Sequence, residues 1–282
     1  MSSLDTIFAS ITGNPGLHVP GTAAYLKLKT EARAAIEGLF RGAEPLPQPF
    51  GPFGSVAMPY TRMGAIDSLD LFGIDELIIF AFYNANRKRY TRVLDIGANL
   101  GLHSIILGKC GFQVRAYEPD PRHFALLTAN LKANGVETVQ PVQAAVSTKD
   151  GEAQFVRVLG NTTGSHLAGA KESYGEREYF PVKVLAIAPL LEWATLAKID
   201  AEGHEKDLLL AATRADFDHL DIMVEVGSPA NAEAIFLHLT SLGVCMFPQK
   251  LGWQRAQRAE DLPTSHRDGS LFLTAKGEMP WK

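Results

Sequence analysis

Only two cysteines occur in 282 residues. Cys110 sits inside a helical pattern and Cys245 inside an apolar run, so neither a disulfide framework nor a zinc spacing is available, and both are expected in the core. Excess positive charge is missing too: 27 Lys and Arg stand against 31 Asp and Glu, a net charge of −4. That withholds the basic footprint that a nucleic-acid duplex or an anionic bilayer requires. There is no long apolar run. The most apolar window, Leu71 to Tyr83, is interrupted by Asp75 and Glu76 and falls short of the roughly 20 residues that span a bilayer. The first residues, MSSLDTIFASITGNPG, carry Asp5 and no basic segment ahead of their short apolar stretch, unlike a secretory signal. The expectation is a soluble, cytoplasmic chain with neither nucleic acid nor membrane as partner. What is present, 46% hydrophobic and 21% charged residues, is ordinary for a globular protein and excludes a disordered or collagen-like chain.

Tyr25, Leu28, Ala32, Ile36 and Leu39 recur at helical spacing, which predicts an amphipathic helix over residues 22–41. From Arg41 to Gly64, five prolines and four glycines forbid regular helix and suggest a connector that could hold a hairpin. Ile74, Leu77, Ile78, Ala81 and Phe82 mark another helix, whose Asp75 and Glu76 suit the positive end of its dipole. Beyond Arg89, apolar strands alternate with helices, the pattern of a doubly wound α/β sheet that is mostly parallel. Strands are expected at Val93 to Ile96, Val114 to Tyr117, Val139 to Val146, Leu196 to Ile199 and Ile222 to Val226. Helices are expected at Leu102 to Cys110, Pro121 to Asn134 and Ala232 to Leu242, with another beginning near Gly203. A turn at Lys149-Asp150-Gly151 starts a hairpin return through Phe155 to Val158, and Val244 to Phe247 pairs with Ser270 to Thr274 in a terminal hairpin.

In such sheets the ligand sits beyond the carboxyl ends of the strands. The first strand ends in DIGANLG, Asp95 to Gly101, where Gly97 and Gly101 bracket a turn that lets a ligand approach the backbone. A dinucleotide fingerprint would need glycines at 97, 99 and 102, and Asn99 and Leu102 occupy two of these positions, which weighs against a nicotinamide cofactor. No G-K-[ST] follows, so a Walker loop is excluded. Glu118 ends the second strand about 20 residues after the glycine loop, where an acid can accept both hydroxyls of a ribose. Asp95 is either a buried acid capping the loop amides or a partner for a ligand's amino group.

The segments VLDIGANLGLHS (Val93 to Ser104), AYEPDP (Ala116 to Pro121) and KIDAEGHE (Lys198 to Glu205), in that order and spacing, resemble the FkbM family of S-adenosylmethionine-dependent methyltransferases. The resemblance covers roughly Asp75 to Val226. It implies a Rossmann-like, class I methyltransferase sheet of seven strands whose last strand is antiparallel. It further implies S-adenosylmethionine as cofactor, with Asp95, Gly97, Asn99 and Gly101 at its methionine end, Glu118 at the ribose, and Ala144 and Ala145 at the adenine edge. Two departures stand out: the Thr-Leu-Asp stretch usual upstream of the fourth strand is replaced by Leu185 to Leu190, and His204 stands where the family commonly has a small residue. With that resemblance the chain divides into an N-terminal helix and Pro/Gly-rich connector, residues 1–64, and a methyltransferase domain, residues 65–282. The extension is expected to pack beside the sheet and to contribute to the methyl acceptor's side.

KIDAEGHE places Asp200 at the end of the fourth strand, with Glu202, His204 and Glu205 opening the next helix. Methyl transfer to a hydroxyl needs the acceptor's proton taken up as the bond forms. Asp200, His204 and Glu205 are the candidate catalytic residues: Asp200 as the cleft carboxylate, and His204 for its ordinary pKa near 6.5. The same acids could hold a divalent cation, although no metal ligands are assigned. His103 reads as a capping or packing residue. Asn161, Thr162, Thr163 and Ser165 form a polar loop that could border the methyl acceptor, and Glu225 ends the fifth strand. The leading reading is O-methylation of a hydroxyl on a small molecule or sugar, the acceptor class coming from the resemblance. A nicotinamide oxidoreductase and a non-catalytic cofactor-binding module are the alternatives.

Overall fold

A computed structural model describes residues 3–172 and 175–281. Seven strands form the main sheet: β1 (Arg92–Ile96), β2 (Gln113–Tyr117), β3 (Val139–Val142), β4 (Leu196–Ile199), β5 (Asp221–Val224), β6 (Cys245–Pro248) and β7 (Leu271–Thr274). Their spatial order is β6-β7-β5-β4-β1-β2-β3. β1 to β5 run parallel to one another, and β7 lies antiparallel between β5 and β6. This is the doubly wound class I methyltransferase sheet. The chain proceeds outward from β1 through β2 to β3, then returns to place β4 on the other flank of β1, so the topological switch point lies between β1 and β4.

Period-two alternation gives the sheet two apolar faces. Val93, Val114, Leu196, Met223 and Phe272 point into one core, whereas Leu94, Ile96, Ala197, Ile199, Ile222 and Leu273 point into the other. On the first face lie α1 (Ser3–Gly13), α2 (Ala23–Phe40), α3 (Ile74–Ala85), α4 (Leu102–Lys109) and α5 (Pro121–Ala133). On the second lie α6 (Ala188–Trp193), α7 (Glu205–Leu210) and α8 (Pro229–Ser241). The prolines at Pro141 and Pro248 fall in β3 and β6, the two outer strands, where a missing amide breaks no ladder on the open side.

The third strand departs from expectation. Val139 to Val146 is not one strand: β3 stops at Val142, and Ala145–Ser147 joins a separate four-stranded sheet with Arg177–Ala186, Gly151–Val158 and His166–Leu167. Gly151–Val158 pairs antiparallel with Arg177–Ala186, a strand the sequence reading did not anticipate, and not with β3. This small sheet stands over the carboxyl edge of the main one and supplies one wall of the cleft described below.

The N-terminal region shares the main core. Leu4, Ile7, Phe8 and Ile11 of α1 and Tyr25, Leu28, Ala32 and Ile36 of α2 are buried in one cluster with Leu77, Phe80 and Val93. The connector carries the suggested hairpin, with Pro47–Pro49 paired to Ser55–Ala57. It is pinned to α5 where the Asn134 side-chain amide bonds both backbone groups of Ala57, at 2.9 and 2.7 Å. Cys110 is half-buried and Cys245 buried, both as free thiols. Among the described residues no helix is long and apolar enough to cross a membrane.

Candidate active site

Between β1 and α4 the chain turns through three left-handed residues, Gly97 (φ 76°), Asn99 (φ 53°) and Gly101 (φ 89°). The two glycines are needed for different contacts. A Cβ on Gly97 would lie 1.8 Å from the carbonyl oxygen of Asp200, so only glycine lets β1 and β4 close on each other at the switch point. A Cβ on Gly101 would meet the Leu127 side chain at 2.4 Å. Gly101 therefore seats the loop on α5 and does not face the cleft. The amides of Gly97 and Ala98 donate to the Tyr117 carbonyl at 3.0 Å, which ties the loop to the end of β2.

Glu118 is the hub of that end. Its carboxylate accepts the Asn99 amide and the Asp120 amide, each at 2.8 Å, and the side chain is buried. Burial pushes its carboxyl up to about 8, against the pull of those two amides. Asn99 presents a buried side-chain oxygen with no hydrogen-bond partner. A cavity of about 240 Å³ opens here, reached by Gly97, Asn99 and Glu118 on one side and by Asp200, Glu202 and Glu225 on the other. Ala144, Ala145 and Phe155 give it an apolar wall. Ile66, Asp70 and Leu71, between the connector and α3, also border it.

A second cavity of about 600 Å³ shares Thr163, Asp200, Glu202 and Glu225 with the first. It is rimmed by Asn161, Ser228, Asn231 and His266, and among the described residues no Phe, Tyr or Trp lines it. The expected polar loop thus divides between the two spaces, with Thr162 and Ser165 on the first, Asn161 on the second and Thr163 on both.

The acids at the junction differ in what holds them. Asp200 lies 3.4 Å from the Lys198 ammonium, which also donates to the Gly97 carbonyl at 3.0 Å. Lys198 is buried, which disfavours its charge, but Asp200, Asp95, Glu76 and Glu225 outweigh that cost and hold its pKa above the ordinary lysine value. Glu202 does not begin the helix. It sits in a left-handed turn at φ 52°, and its carboxylate pairs with Lys171. Burial, with Asp200 adding to it, raises the Glu202 carboxyl to about 7. Glu225 is pushed well above the usual range by burial and by the Asp200 and Glu76 charges.

These contacts bear on three of the expected site residues. Asp95 is fully buried, takes the Ser104 hydroxyl at 2.5 Å and lies 3.6 Å from Lys198, so it braces the floor and does not line the cavity. Glu205 accepts the Ala201 amide at 2.8 Å and the Gly203 amide at 3.0 Å, so its carboxylate is spent on holding the turn ahead of α7. That helix begins at Glu205, close to the expected start near Gly203. His204 lines the first cavity, but both ring nitrogens are engaged: Nε2 lies 2.8 Å from the Ser147 hydroxyl and Nδ1 3.3 Å from Asp207. Burial lowers its pKa. Among the described residues no group of three or more His, Cys, Asp or Glu is placed to hold a metal ion, so the divalent-cation reading gains no support.

Residues 95–245, more than half of the chain, match the methyltransferase FkbM domain. The chain belongs to the FkbM methyltransferase family. No curated protein matches it. Among solved structures it is similar to a SAM-dependent methyltransferase from Agrobacterium tumefaciens, at 10% identity over 83% of this chain and 71% of that one, with a TM-score of 0.43. It is also similar to an O-methyltransferase from Bacillus cereus in complex with SAH, at 10% identity over 70% and 80% of the two chains and a TM-score of 0.37. A precorrin-6y C5,15-methyltransferase from Geobacter metallireducens GS-15 aligns at 13% identity over 67% and 82%, with a TM-score of 0.36.

In this FkbM chain two contributors to the cleft come from residues given other roles in the sequence. Glu76, on the first turn of α3, lines the first cavity, and its Oε2 accepts His103 Nε2 at 2.6 Å. His103 is thus neither a cap nor packing alone. Its Nδ1 is 3.1 Å from the Tyr83 hydroxyl. Lys198 stands inside the KIDAEGHE segment, and its apolar β4 neighbours gave no sign that its ammonium turns back under the glycine loop.

Proposed function

We propose that this FkbM-family chain transfers a methyl group from S-adenosylmethionine to a hydroxyl oxygen of a small, polar acceptor, with the cofactor in the first cavity and the acceptor in the second. The first cavity fits a nucleoside: Glu118 and the unpartnered Asn99 oxygen are acceptors awaiting hydroxyl donors, and Ala144 and Ala145 offer a flat apolar wall. Bound there, S-adenosylmethionine supplies a methyl group activated on a sulfonium. Gly97 and Gly101 would then serve by shaping the loop, and Asp95 by bracing it.

The observation that carries the reading is that Asp200 stands on both cavities at the end of β4. Of the three acids common to both, burial and neighbouring charges disfavour the Glu225 anion, and Glu202 is committed to Lys171. Asp200 is left to receive the methyl acceptor's hydroxyl hydrogen and to take its proton as the new C–O bond forms. His204 holds Ser147 and Asp207, and so steadies the wall instead of taking that proton. Among the described residues the lining of the second cavity is polar and without aromatic rings, which favours a polyhydroxylated acceptor over a flat phenol.

The test is to incubate the protein with methyl-labelled S-adenosylmethionine and a panel of monosaccharides and polyols, with catechol as the aromatic comparison. Label in an O-methyl sugar or polyol is expected. Label only in catechol would reverse the acceptor class, and saturable binding of a nicotinamide dinucleotide in place of S-adenosylhomocysteine would overturn the cofactor assignment.

A further inference from the structure

We propose that Glu76, oriented by His103, is the carboxylate that receives the ammonium group of the cofactor's amino-acid tail. The inference rests on the cofactor placement proposed above and extends it to a residue outside the three sequence segments that resemble the family.

The sheet sets the direction in which the cofactor must lie. Glu118 ends β2 and Glu225 follows β5, and β1 and β4 stand between them. Three strand spacings separate those ends, about 14 Å. A ribose at Glu118 therefore sends the amino-acid tail across β1 toward β4 and β5. Glu76 lies at that far end: it lines the same cavity as Glu118 and shares a neighbouring crevice with Lys198, Asp200 and Glu225.

Three acids surround this end, and their surroundings select among them. Asp200 already faces Lys198 at 3.4 Å. Burial and its acidic neighbours disfavour the Glu225 anion and raise its carboxyl well above the usual range. Burial disfavours the Glu76 anion as well, but His103 beside it and Lys198 behind overcome that and hold its carboxyl below the usual value. Its Oε2 is fixed by His103 Nε2, which the Tyr83 hydroxyl and the Phe80 ring hold in place, with ring centroids 4.8 Å apart for Phe80 and His103. Oε1 takes no hydrogen bond from the described residues. A carboxylate that is ionised, pinned through one oxygen and open at the other is a site for an ammonium donor.

Two ligands separate this contact from the rest of the cofactor site: S-adenosylhomocysteine, which carries the amino-acid tail, and 5′-methylthioadenosine, which keeps the nucleoside and thioether but lacks it. Calorimetry on the full chain should show Glu76→Gln weakening S-adenosylhomocysteine roughly 10- to 100-fold, the range for a charge-assisted hydrogen bond, with 5′-methylthioadenosine unchanged. His103→Asn, which frees Glu76 to wander, should give the same pattern with a smaller loss and covers the case in which Glu76→Gln fails to fold. Equal weakening of both ligands, or no weakening of S-adenosylhomocysteine in either variant, would overturn the proposal. Failure of the wild-type protein to bind both ligands would instead defeat the cofactor placement beneath it.

Discussion

Glu118 makes the nucleoside end of the cleft sensitive to pH in a way that can be worked out in advance. In the ligand-free protein its carboxyl is pushed up to about 8 by burial, so at pH 7 most molecules carry it protonated. A ribose diol donates two hydrogens, and the anion is the form that accepts both. Binding that requires the anion weakens by about tenfold for each pH unit below the free-state pKa. Affinity for 5′-methylthioadenosine, which has no amino group of its own to titrate, should therefore be about 100-fold weaker at pH 6 than at its plateau above pH 8. The sign follows from the direction of the shift: a raised carboxyl must lose its proton to bind, so affinity rises with pH. Calorimetry from pH 6 to 8.5 measures this, and Glu118→Gln supplies the control, since a side chain that cannot ionise should bind weakly and evenly across the range. A flat profile in the wild-type protein, or an unchanged slope in Glu118→Gln, would refute the argument, the latter by passing the dependence to Glu202, whose carboxyl is raised to about 7.

Asp200→Asn should lower turnover by about 100-fold or more while changing S-adenosylhomocysteine affinity only a few-fold, and His204→Ala should cost far less turnover, as steady-state rates beside calorimetry would show. Gly97→Ala should destabilise the fold by about 2 kcal/mol or more in chemical denaturation, because its Cβ would lie 1.8 Å from the Asp200 carbonyl oxygen. His18 is fully buried, with Nε2 2.8 Å from the Ile11 carbonyl and Nδ1 accepting the Trp253 indole N–H at 2.8 Å, and burial lowers its pKa to about 4. Its contribution to stability is present above pH 6.5 and is lost as pH falls toward 4, roughly 3 kcal/mol; in His18→Gln that acid-dependent component should be missing from urea midpoints measured over this range.

The alternation of strands and helices from Arg92 onward was legible because each element is set by its own residues: period-two runs for the strands, Gly111 and Gly135 after the helices, and Asp120 capping α5 through the Arg122 amide at 2.7 Å. Local pattern failed where a partner decides. Nothing in Val139 to Val146 announces that the chain changes sheets at Gln143, because the strand that draws Ala145–Ser147 away lies some 30 residues further on, at Arg177–Ala186. The helix α1 is legible in principle, since Leu4, Ile7, Phe8 and Ile11 keep helical spacing. In the site, Gly97 and Gly101 look alike in sequence and in backbone. One meets a carbonyl on β4 and the other a leucine on α5, and only the packing tells them apart.

The same distinction explains why the N-terminal region matters to a cleft it scarcely enters. The expectation placed Asp75 and Glu76 together as acids favoured by a helix dipole, yet the two point to different tasks. Asp75 accepts the Tyr25 hydroxyl at 2.6 Å and the Gln249 amide at 2.5 Å, which joins α2 and the segment after β6 to the first turn of α3. Gln249 also donates to the His18 carbonyl at 3.1 Å, and Trp253 donates to the His18 ring, so the N-terminal and C-terminal parts of the chain close on one buried cluster. Glu76 is the next residue along, and its carboxylate can reach the cavity only while that turn is held. The extension therefore bears on the proposed cofactor's tail through α3, and it also meets the polar loop beside the proposed acceptor cavity, where the Thr162 amide donates to the Met63 carbonyl at 3.1 Å.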